Sequence, residues 1–137
     1  MRIVLDTNVL IAAFISRGHC FDLLDHVARV HELFTSEYIL AEYRTKLSEK
    51  FRIPEAMIES AVSLLLSRTV VVDAAPLPAP VCRDADDDPV LGTAVAAVAD
   101  ALVAGDADLL ALRAYEGIVI ISPSGFWAFE KERSRGG

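Results

Sequence analysis

The chain has 137 residues, of which 53% are hydrophobic and 24% are charged, and its formal net charge is −7. This length suits one domain that buries a core without disulfide bonds, so we expect a single domain over residues 1–137. The acidic balance excludes a general nucleic-acid-coating protein, which needs a basic face, but it does not exclude a nuclease whose carboxylates bind cations.

The same composition bears on the cellular compartment. Cys20 and Cys82 have no metal-ligand spacing and are typical of reduced thiols. The N-terminal apolar stretch is interrupted by Asp6 and Asn8 and lacks the basic region of a signal peptide, and no other uncharged run approaches membrane-spanning length. We therefore expect a cytoplasmic protein without a membrane segment.

In chain order, the apolar patterns predict strands and helices in turn. A β-branched run at 3–5 predicts a first strand, and the apolar run from Val9 to Phe14 predicts a helix. The polar triplet Asp6-Thr7-Asn8 forms the corner between them. The next predicted elements are a helix over 20–30, a strand over 31–35, a helix from Ser36 to about Lys50, a helix over 55–66 and a strand over 69–72.

The second half of the chain begins after a proline-rich loop, APLPAPVC. Asp88 starts a helix with Pro89 at the favourable first position. A strand over 101–103 leads to a second acidic corner, Gly105-Asp106-Ala107-Asp108, and to a helix, and the chain closes with a strand over 118–121 and a helix over 123–132. This order predicts an α/β fold, a three-layer α/β/α sandwich around a parallel sheet of about five strands.

Acidic residues stand at several predicted strand ends and helix starts. Asp6 and Asp106 follow strands, Asp88 begins a helix within the run RDADDDP, and Glu42 lies within about two turns of a helix start. Each alone is explained by a helix cap or a solvated helix face. Together they could converge on one edge of a parallel sheet, where crowded carboxylates repel one another unless cations intervene.

The type of ligand indicates the metal. Oxygen ligands without Cys or His favour Mg²⁺ or Mn²⁺ over Zn²⁺, and pairs of such ions support phosphodiester hydrolysis. The three histidines, His19, His26 and His31, share no ligand spacing, and we assign them no role.

Four segments of the chain resemble the PIN-domain ribonucleases, especially the toxins of VapBC-type toxin-antitoxin pairs. They are VLDTNVLIAAF, TSEYILAEY, RDADDDPVLGTAVAA and AGDADLLAL, and the resemblance covers nearly the whole chain. It implies a catalytic, metal-binding acidic tetrad of Asp6, Glu42, Asp88 and Asp106, with Asp87 as the alternative to Asp88. It also implies Asp108 as an auxiliary metal-binding acid and Asn8 and Ser36 as polar supports.

The resemblance implies a Mg²⁺- or Mn²⁺-dependent endoribonuclease that leaves 5′-phosphate and 3′-hydroxyl ends. It further implies a homodimer and a cognate antitoxin that sends a basic side chain among the carboxylates. The candidate RNA contacts are the basic residues that follow Glu42, namely Arg44, Lys46, Lys50 and Arg52. The apolar face over 56–66 suits either a partner surface or the core.

Two other functions stay open. Asp6 could be the nucleophile of an aspartyl-phosphate phosphatase, although enzymes of the haloacid dehalogenase type need a second Asp two residues later, where this chain has Asn8. The family commonly has Thr or Ser two residues before its fourth acid, and Ala104 stands there in this chain. That departure leaves open a weakly active or non-catalytic binding module of the same fold.

Overall fold

Six strands form one sheet in the computed structural model, which describes residues 1–136. The strands are β1 (Arg2–Leu5), β2 (Glu32–Ser36), β3 (Val70–Val72), β4 (Ala101–Val103), β5 (Ala114–Tyr115) and β6 (Ile118–Ile121). Their order across the sheet is β3-β2-β1-β4-β6-β5. All neighbouring pairs are parallel except β5 and β6, which are antiparallel.

Within the described part of the chain, seven α-helices connect and cover the strands, and a short 3₁₀ helix at Ala85–Asp87 precedes the fifth. The helices are α1 (Thr7–Ile15), α2 (His19–Val30), α3 (Glu37–Glu49), α4 (Glu55–Arg68), α5 (Asp88–Ala96), α6 (Ala107–Leu112) and α7 (Pro123–Gly136). The predicted α/β fold is confirmed. Within residues 1–136, the helices are too short or too polar to cross a lipid bilayer.

The central strands lie in the middle of one hydrophobic core. Ile3, Val4 and Leu5 of β1 and the whole of β4 are buried. Buried and exposed residues do not alternate along these strands, as they would if one face of the sheet met solvent. Continuous burial of this kind is expected when helices cover both faces of a parallel sheet. The apolar runs of the sequence therefore become central strands, and the polar residues that follow them are brought to one edge.

The sheet has one more strand than we predicted. β5 is two residues long and joins β6 through Glu116 and Gly117, whose φ angles are 50° and 80°. Two successive residues with positive φ are typical of the type I′ turn in tight hairpins. A two-residue strand has no periodic pattern, so the apolar pattern could not reveal it.

The last helix is held to the body of the protein by two histidines to which the sequence assigned no role. His26 Nε2 in α2 and His31 Nε2 before β2 each lie 2.6 Å from Glu130 Oε2 in α7. His31 Nδ1 also lies 3.1 Å from the N-terminal amine of Met1. This cluster sits at the amino end of β2, the edge of the sheet opposite to the acidic corners.

Candidate metal-binding active site

The acidic corners meet where the strand order reverses. β1 pairs with β2 on one side and with β4 on the other, so the connections that leave these strands diverge at their carboxyl ends. Ligands of open α/β sheets bind at such a point. Asp6 directly follows β1, and Asp106 lies three residues after β4.

Asp6 is both a helix cap and a buried carboxylate. Its Oδ1 accepts a hydrogen bond from the Val9 N–H at 2.8 Å, and its Oδ2 accepts one from the Gly105 N–H at 3.1 Å. Only 2% of the residue is exposed. Burial raises the pKa of Asp6 to about 6, the nearby Asp106 charge adds to the rise, and the backbone hydrogen bonds oppose it. Asp6 therefore joins the two corners and bears a charge that is costly without a cation.

Three further carboxylates form a cluster beside it. Oxygen atoms of Asp87, Asp106 and Asp108 all lie within 4.8 Å of one another. Asp106 caps α6 by accepting a hydrogen bond from the Asp108 N–H at 2.7 Å. Hard oxygen atoms at this spacing are the ligand type that Mg²⁺ and Mn²⁺ prefer, so this cluster could hold a metal ion.

Asp87 gives the strongest indication that the cluster can bind a cation. Its Oδ2 is buried and has no hydrogen-bond partner among the described residues. Burial raises the pKa of Asp87 to about 7, and interactions with Asp106, Asp84 and Asp108 add to the rise. A buried carboxylate oxygen normally has a hydrogen-bonding partner or a metal, so the cluster fits a divalent cation.

The two candidates for the third acid of the implied tetrad, Asp88 and its alternative Asp87, have different surroundings. Asp88 turns its carboxylate toward the proline-rich loop, where it accepts hydrogen bonds from the N–H groups of Cys82 at 2.8 Å and Val81 at 3.4 Å. These bonds, with Cys82 contributing most, hold the pKa of Asp88 below its usual value. One residue along a helix rotates a side chain by about 100°. The structure thus brings Asp87, and not Asp88, to the cluster.

Glu42 reaches the site through a neighbour of Asp6. The hydroxyl of Thr7 donates a hydrogen bond to Glu42 Oε1 at 2.7 Å. Thr7 is 3% exposed and Glu42 is half-buried. Thr7 was not predicted from the sequence, although its position inside the Asp6-Thr7-Asn8 corner is a signal that could have identified it. Thr7 fixes the orientation of the α3 acid relative to the β1 corner.

The two predicted polar supports have different surroundings. Ser36 is buried and caps α3 by accepting from the Ile39 N–H at 3.3 Å, and it also accepts from the Thr93 hydroxyl at 2.7 Å. Thr93 lies in α5, so this pair connects the helix that carries Glu42 to the helix that follows Asp87, a link the sequence did not reveal. Asn8 is exposed, and its Oδ1 accepts a hydrogen bond from Lys46 Nζ at 3.3 Å.

The four basic residues predicted as RNA contacts do not all lie together. Arg44 Nε forms an ion pair with Glu59 Oε1 at 3.0 Å, which connects α3 to α4. Lys46 contacts Asn8, and Lys50 Nζ lies 5.5 Å from the centre of the Phe51 ring. Arg52 is exposed beyond the end of α3, with a φ of 53°.

The apolar face over 56–66 is divided between the core and the surface. Ile58, Val62 and Leu65 are buried, whereas Met57 and Leu64 are 52% and 62% exposed. The two exposed residues line an apolar groove of about 520 Å³ together with side chains of α1 and α2. The core interpretation is therefore confirmed for the buried residues, and the exposed ones stay a candidate partner surface.

A family model described as a PIN domain matches residues 2–108. The chain belongs to the PIN domain family. The match includes the first three of the four segments and the start of the fourth, up to Asp108, so the resemblance noted from the sequence is confirmed. A search of curated proteins finds no match for this PIN domain.

Among solved structures, this PIN domain is similar to a chain of VapBC2 from Rickettsia felis bound to a DNA fragment from their promoter. The TM-score is 0.64 and the sequence identity is 17%, and the match covers 88% of this chain and 97% of the other. At this identity the likeness shows a shared fold.

Proposed function

We propose that this PIN domain is a divalent-metal-dependent endoribonuclease and the toxin of a toxin-antitoxin pair, acting in the cytoplasm. The observation that carries the proposal is the buried Asp87 Oδ2, which has no partner among the described residues and belongs to a cluster with Asp106 and Asp108. Family membership supports the same chemistry, because the PIN domains that this chain resembles are nucleases.

The carboxylates would act as metal ligands, and the backbone holds them in place. Asp87, Asp106 and Asp108 would hold Mg²⁺ or Mn²⁺, with Asp6 and Glu42 completing the site. When bound, the cation supplies an activated water and stabilises negative charge on the phosphate. Asp6 is fixed by two backbone N–H groups, and Glu42 is fixed by a hydroxyl, so these oxygens are oriented before a cation arrives.

The neighbouring pair Asp87 and Asp88 offers a matched test. Asp87→Asn and Asp88→Asn remove the same charge from adjacent residues, but only Asp87 belongs to the cluster. With a 5′-labelled RNA in Mg²⁺ or Mn²⁺, we expect Asp87→Asn to abolish cleavage and Asp88→Asn to retain most of it. Melting curves of both variants control for folding. Equal cleavage by Asp87→Asn and the wild type contradicts the site.

The ends of the products test the type of reaction. Cleavage by the proposed route leaves a 5′-phosphate, which a phosphate-dependent 5′-exonuclease degrades, and a 3′-hydroxyl, which poly(A) polymerase extends. A different nuclease mechanism would leave a 2′,3′-cyclic phosphate on the upstream product, which poly(A) polymerase cannot extend, and a 5′-hydroxyl on the downstream product, which the exonuclease does not degrade.

We also propose an antitoxin partner and a homodimer. The antitoxin would send an arginine among the carboxylates, because the planar guanidinium pairs with two carboxylate oxygens at once. The fold shared with a VapBC2 chain supports a partner of this kind. Co-expression with the product of the adjacent gene tests it, and we expect inhibition that is lost when that arginine is replaced. Light scattering of the purified chain tests the homodimer.

The phosphatase alternative has less support from the structure. Asn8, which stands where a haloacid-dehalogenase-type enzyme needs a second Asp, accepts a hydrogen bond from Lys46. Asp6 has both oxygens bound to backbone N–H groups. Failure to trap a phosphoenzyme, together with RNA cleavage in Mn²⁺, separates the nuclease from both this enzyme and a non-catalytic binding module.

A further inference from the structure

A row of charged residues follows one face of α3 away from the acidic site. Glu42, Lys46 and Lys50 are spaced four residues apart, so their side chains lie on the same face, each about 6 Å from the next along the axis. Glu42 belongs to the acidic site through its hydrogen bond with Thr7. The charge on this face thus changes from negative to positive within one helical turn.

A cleft of about 380 Å³ runs along the positive part of this row, between α1 and the carboxyl end of α3. Asn8, Lys46, Lys50 and Phe51 line it together with apolar side chains of α1. The Phe51 side of the cleft is open, because this residue is 39% exposed at the end of α3. The cleft therefore combines two cations, one amide and one accessible aromatic ring.

The inner end of the cleft adjoins the acidic site. The Asn8 Cβ lies 3.9 Å from the position that a Cβ on Gly105 would take. The Gly105 N–H donates to Asp6 Oδ2 at 3.1 Å, and Asp106 is the next residue. A chain that leaves the carboxylates past Asn8 thus enters the cleft directly.

We propose that this cleft binds one unpaired nucleotide of a single-stranded RNA next to the cleaved phosphodiester. Its base stacks on Phe51, and the flanking phosphates contact Lys46 and Lys50. The proposal rests on the nuclease function proposed above and adds the form of the substrate and the residues that hold it.

The chemistry of the cleft favours an unpaired strand over a duplex. A base stacks on an exposed aromatic ring only when it has left its own stack, and single-stranded binding sites commonly combine such rings with cations along the backbone. The Lys50 Nζ lies 5.5 Å from the centre of the Phe51 ring, so one nucleotide can contact both residues. In a protein with a net charge of −7, local cations of this kind are needed to bind phosphates beside carboxylates.

Position on the helix decides which of the basic residues after Glu42 line the cleft. Arg44 follows Glu42 by two residues and therefore points about 200° around the helix. It forms an ion pair with Glu59 at 3.0 Å on the α4 side. Of the four basic residues that follow Glu42, only Lys46 and Lys50, at four-residue spacing, line the cleft.

The test measures binding and cleavage separately. Binding of a labelled single-stranded oligoribonucleotide is followed by fluorescence anisotropy in Ca²⁺, and cleavage of the same RNA is followed in Mn²⁺. The variants are Phe51→Leu, which keeps apolar bulk and removes the ring, Phe51→Trp, which keeps a ring, and Lys50→Gln. Lys131→Gln in α7 is the matched charge control, since Lys131 is exposed and absent from the cleft.

We expect Phe51→Leu and Lys50→Gln each to weaken binding by about 3- to 10-fold and to raise KM with little change in kcat. Phe51→Trp and Lys131→Gln should bind as the wild type does. Lys50→Gln should reduce the slope of log K against log salt by about 1, whereas Phe51→Leu should leave that slope unchanged. A fully paired RNA should not respond to Phe51→Leu.

Two results overturn the proposal. One is wild-type binding and cleavage by both Phe51→Leu and Lys50→Gln in protein that melts normally. The other is a loss of self-association or antitoxin binding in these variants with RNA binding unchanged, which assigns the cleft to a protein partner. If the wild type binds RNA through Phe51 and Lys50 but cleaves none in Mn²⁺, the proposed nuclease function is wrong, whereas RNA binding by the cleft is supported.

Discussion

The Thr7 hydroxyl donates a 2.7 Å hydrogen bond to the carboxylate of Glu42, and this bond connects the first helix to the acid of the third. Thr7 follows Asp6 directly, so the bond sets the position of Glu42 relative to the carboxylate at the end of β1. Glu42 is the only acid of the implied tetrad that does not lie at the end of a strand or the start of a helix. Its place in the site therefore depends on this contact.

We expect Thr7→Val to lower metal affinity or cleavage by about 10- to 100-fold, the range found when a group that orients a metal ligand is removed. Valine keeps the branched shape in this buried position and removes only the donor. Thr7→Ser keeps the hydroxyl and should retain most of the activity. Mn²⁺ titration by calorimetry and cleavage rates measure both effects. Equal loss in Val and Ser variants would show that packing, and not the hydrogen bond, matters.

The raised pKa values of Asp6, about 6, and Asp87, about 7, predict how the metal-free protein responds to pH. In the unfolded chain both groups titrate near 3.9, so the folded state binds their protons more tightly and gains stability at low pH. This advantage is lost as pH rises from about 4 to about 7. In chelator, we therefore expect these two groups to make the melting temperature fall as pH rises over this range. Mn²⁺ should restore it at neutral pH, because it binds only the folded site.

Asp87→Asn isolates this effect, because Asp87 makes no cap hydrogen bond for α5 and its Oδ2 lacks a partner among the described residues. In chelator at neutral pH we expect this variant to melt above the wild type and to respond less to Mn²⁺. The matched control is Asp22→Asn, an exposed acid in the first turn of α2, which should melt slightly lower because it loses a favourable charge at a helix N-terminus. If Asp87→Asn melts below the wild type in chelator, repulsion among the clustered carboxylates does not destabilise the metal-free protein.

Ala104 is fully buried, so a larger side chain there alters the packing as well as the chemistry of the site. A threonine restores the hydroxyl usual in the family, but the added bulk in a packed strand end should cost about 1–3 kcal/mol of unfolding free energy. Ala104→Val adds the same bulk without the hydroxyl, and Ala104→Ser adds the hydroxyl with less bulk. We expect tighter Mn²⁺ binding in the Ser and Thr variants and not in Val. Unchanged affinity in all three makes the departure from the family neutral.

Glu130 should stabilise the protein without affecting the chemistry. Partial burial works against its charge, but hydrogen bonds from His26 and His31 hold the pKa of Glu130 below its usual value. Its contribution is therefore present above the unfolded pKa near 4.3 and is lost as pH falls through the lower folded pKa. At neutral pH, Glu130→Gln should cost about 1–3 kcal/mol and leave cleavage unchanged. The control is Glu132→Gln, which changes an exposed neighbour in α7. Equal melting temperatures of the two variants would show that the contacts of Glu130 with the two histidines do not stabilise the protein.

The sequence by itself determined the order of the elements and the positions of most acids along them. Apolar runs at 3–5 and 101–103 are long and continuous enough to identify buried strands, and a polar residue after such a run must lie at the edge of the sheet. Local pattern alone could therefore place Asp6 and Asp106 at that edge, and the resemblance to the family supplied their proposed role as metal ligands. β5 could not be predicted in this way, because two residues carry no period.

Only the tertiary structure decided which neighbouring side chains reach the site. Asp87 and Asp88 are equivalent in the sequence, and the 3₁₀ turn followed by α5 points one at Asp106 and the other at the N–H groups of the proline-rich loop. The link between Thr7 and Glu42 spans 35 positions, and the cleft at Lys46 exists only because α1 packs beside α3. Hydrogen bonds and clefts of this kind depend on angles and distances between elements, and the linear pattern of apolar and polar residues does not contain those quantities.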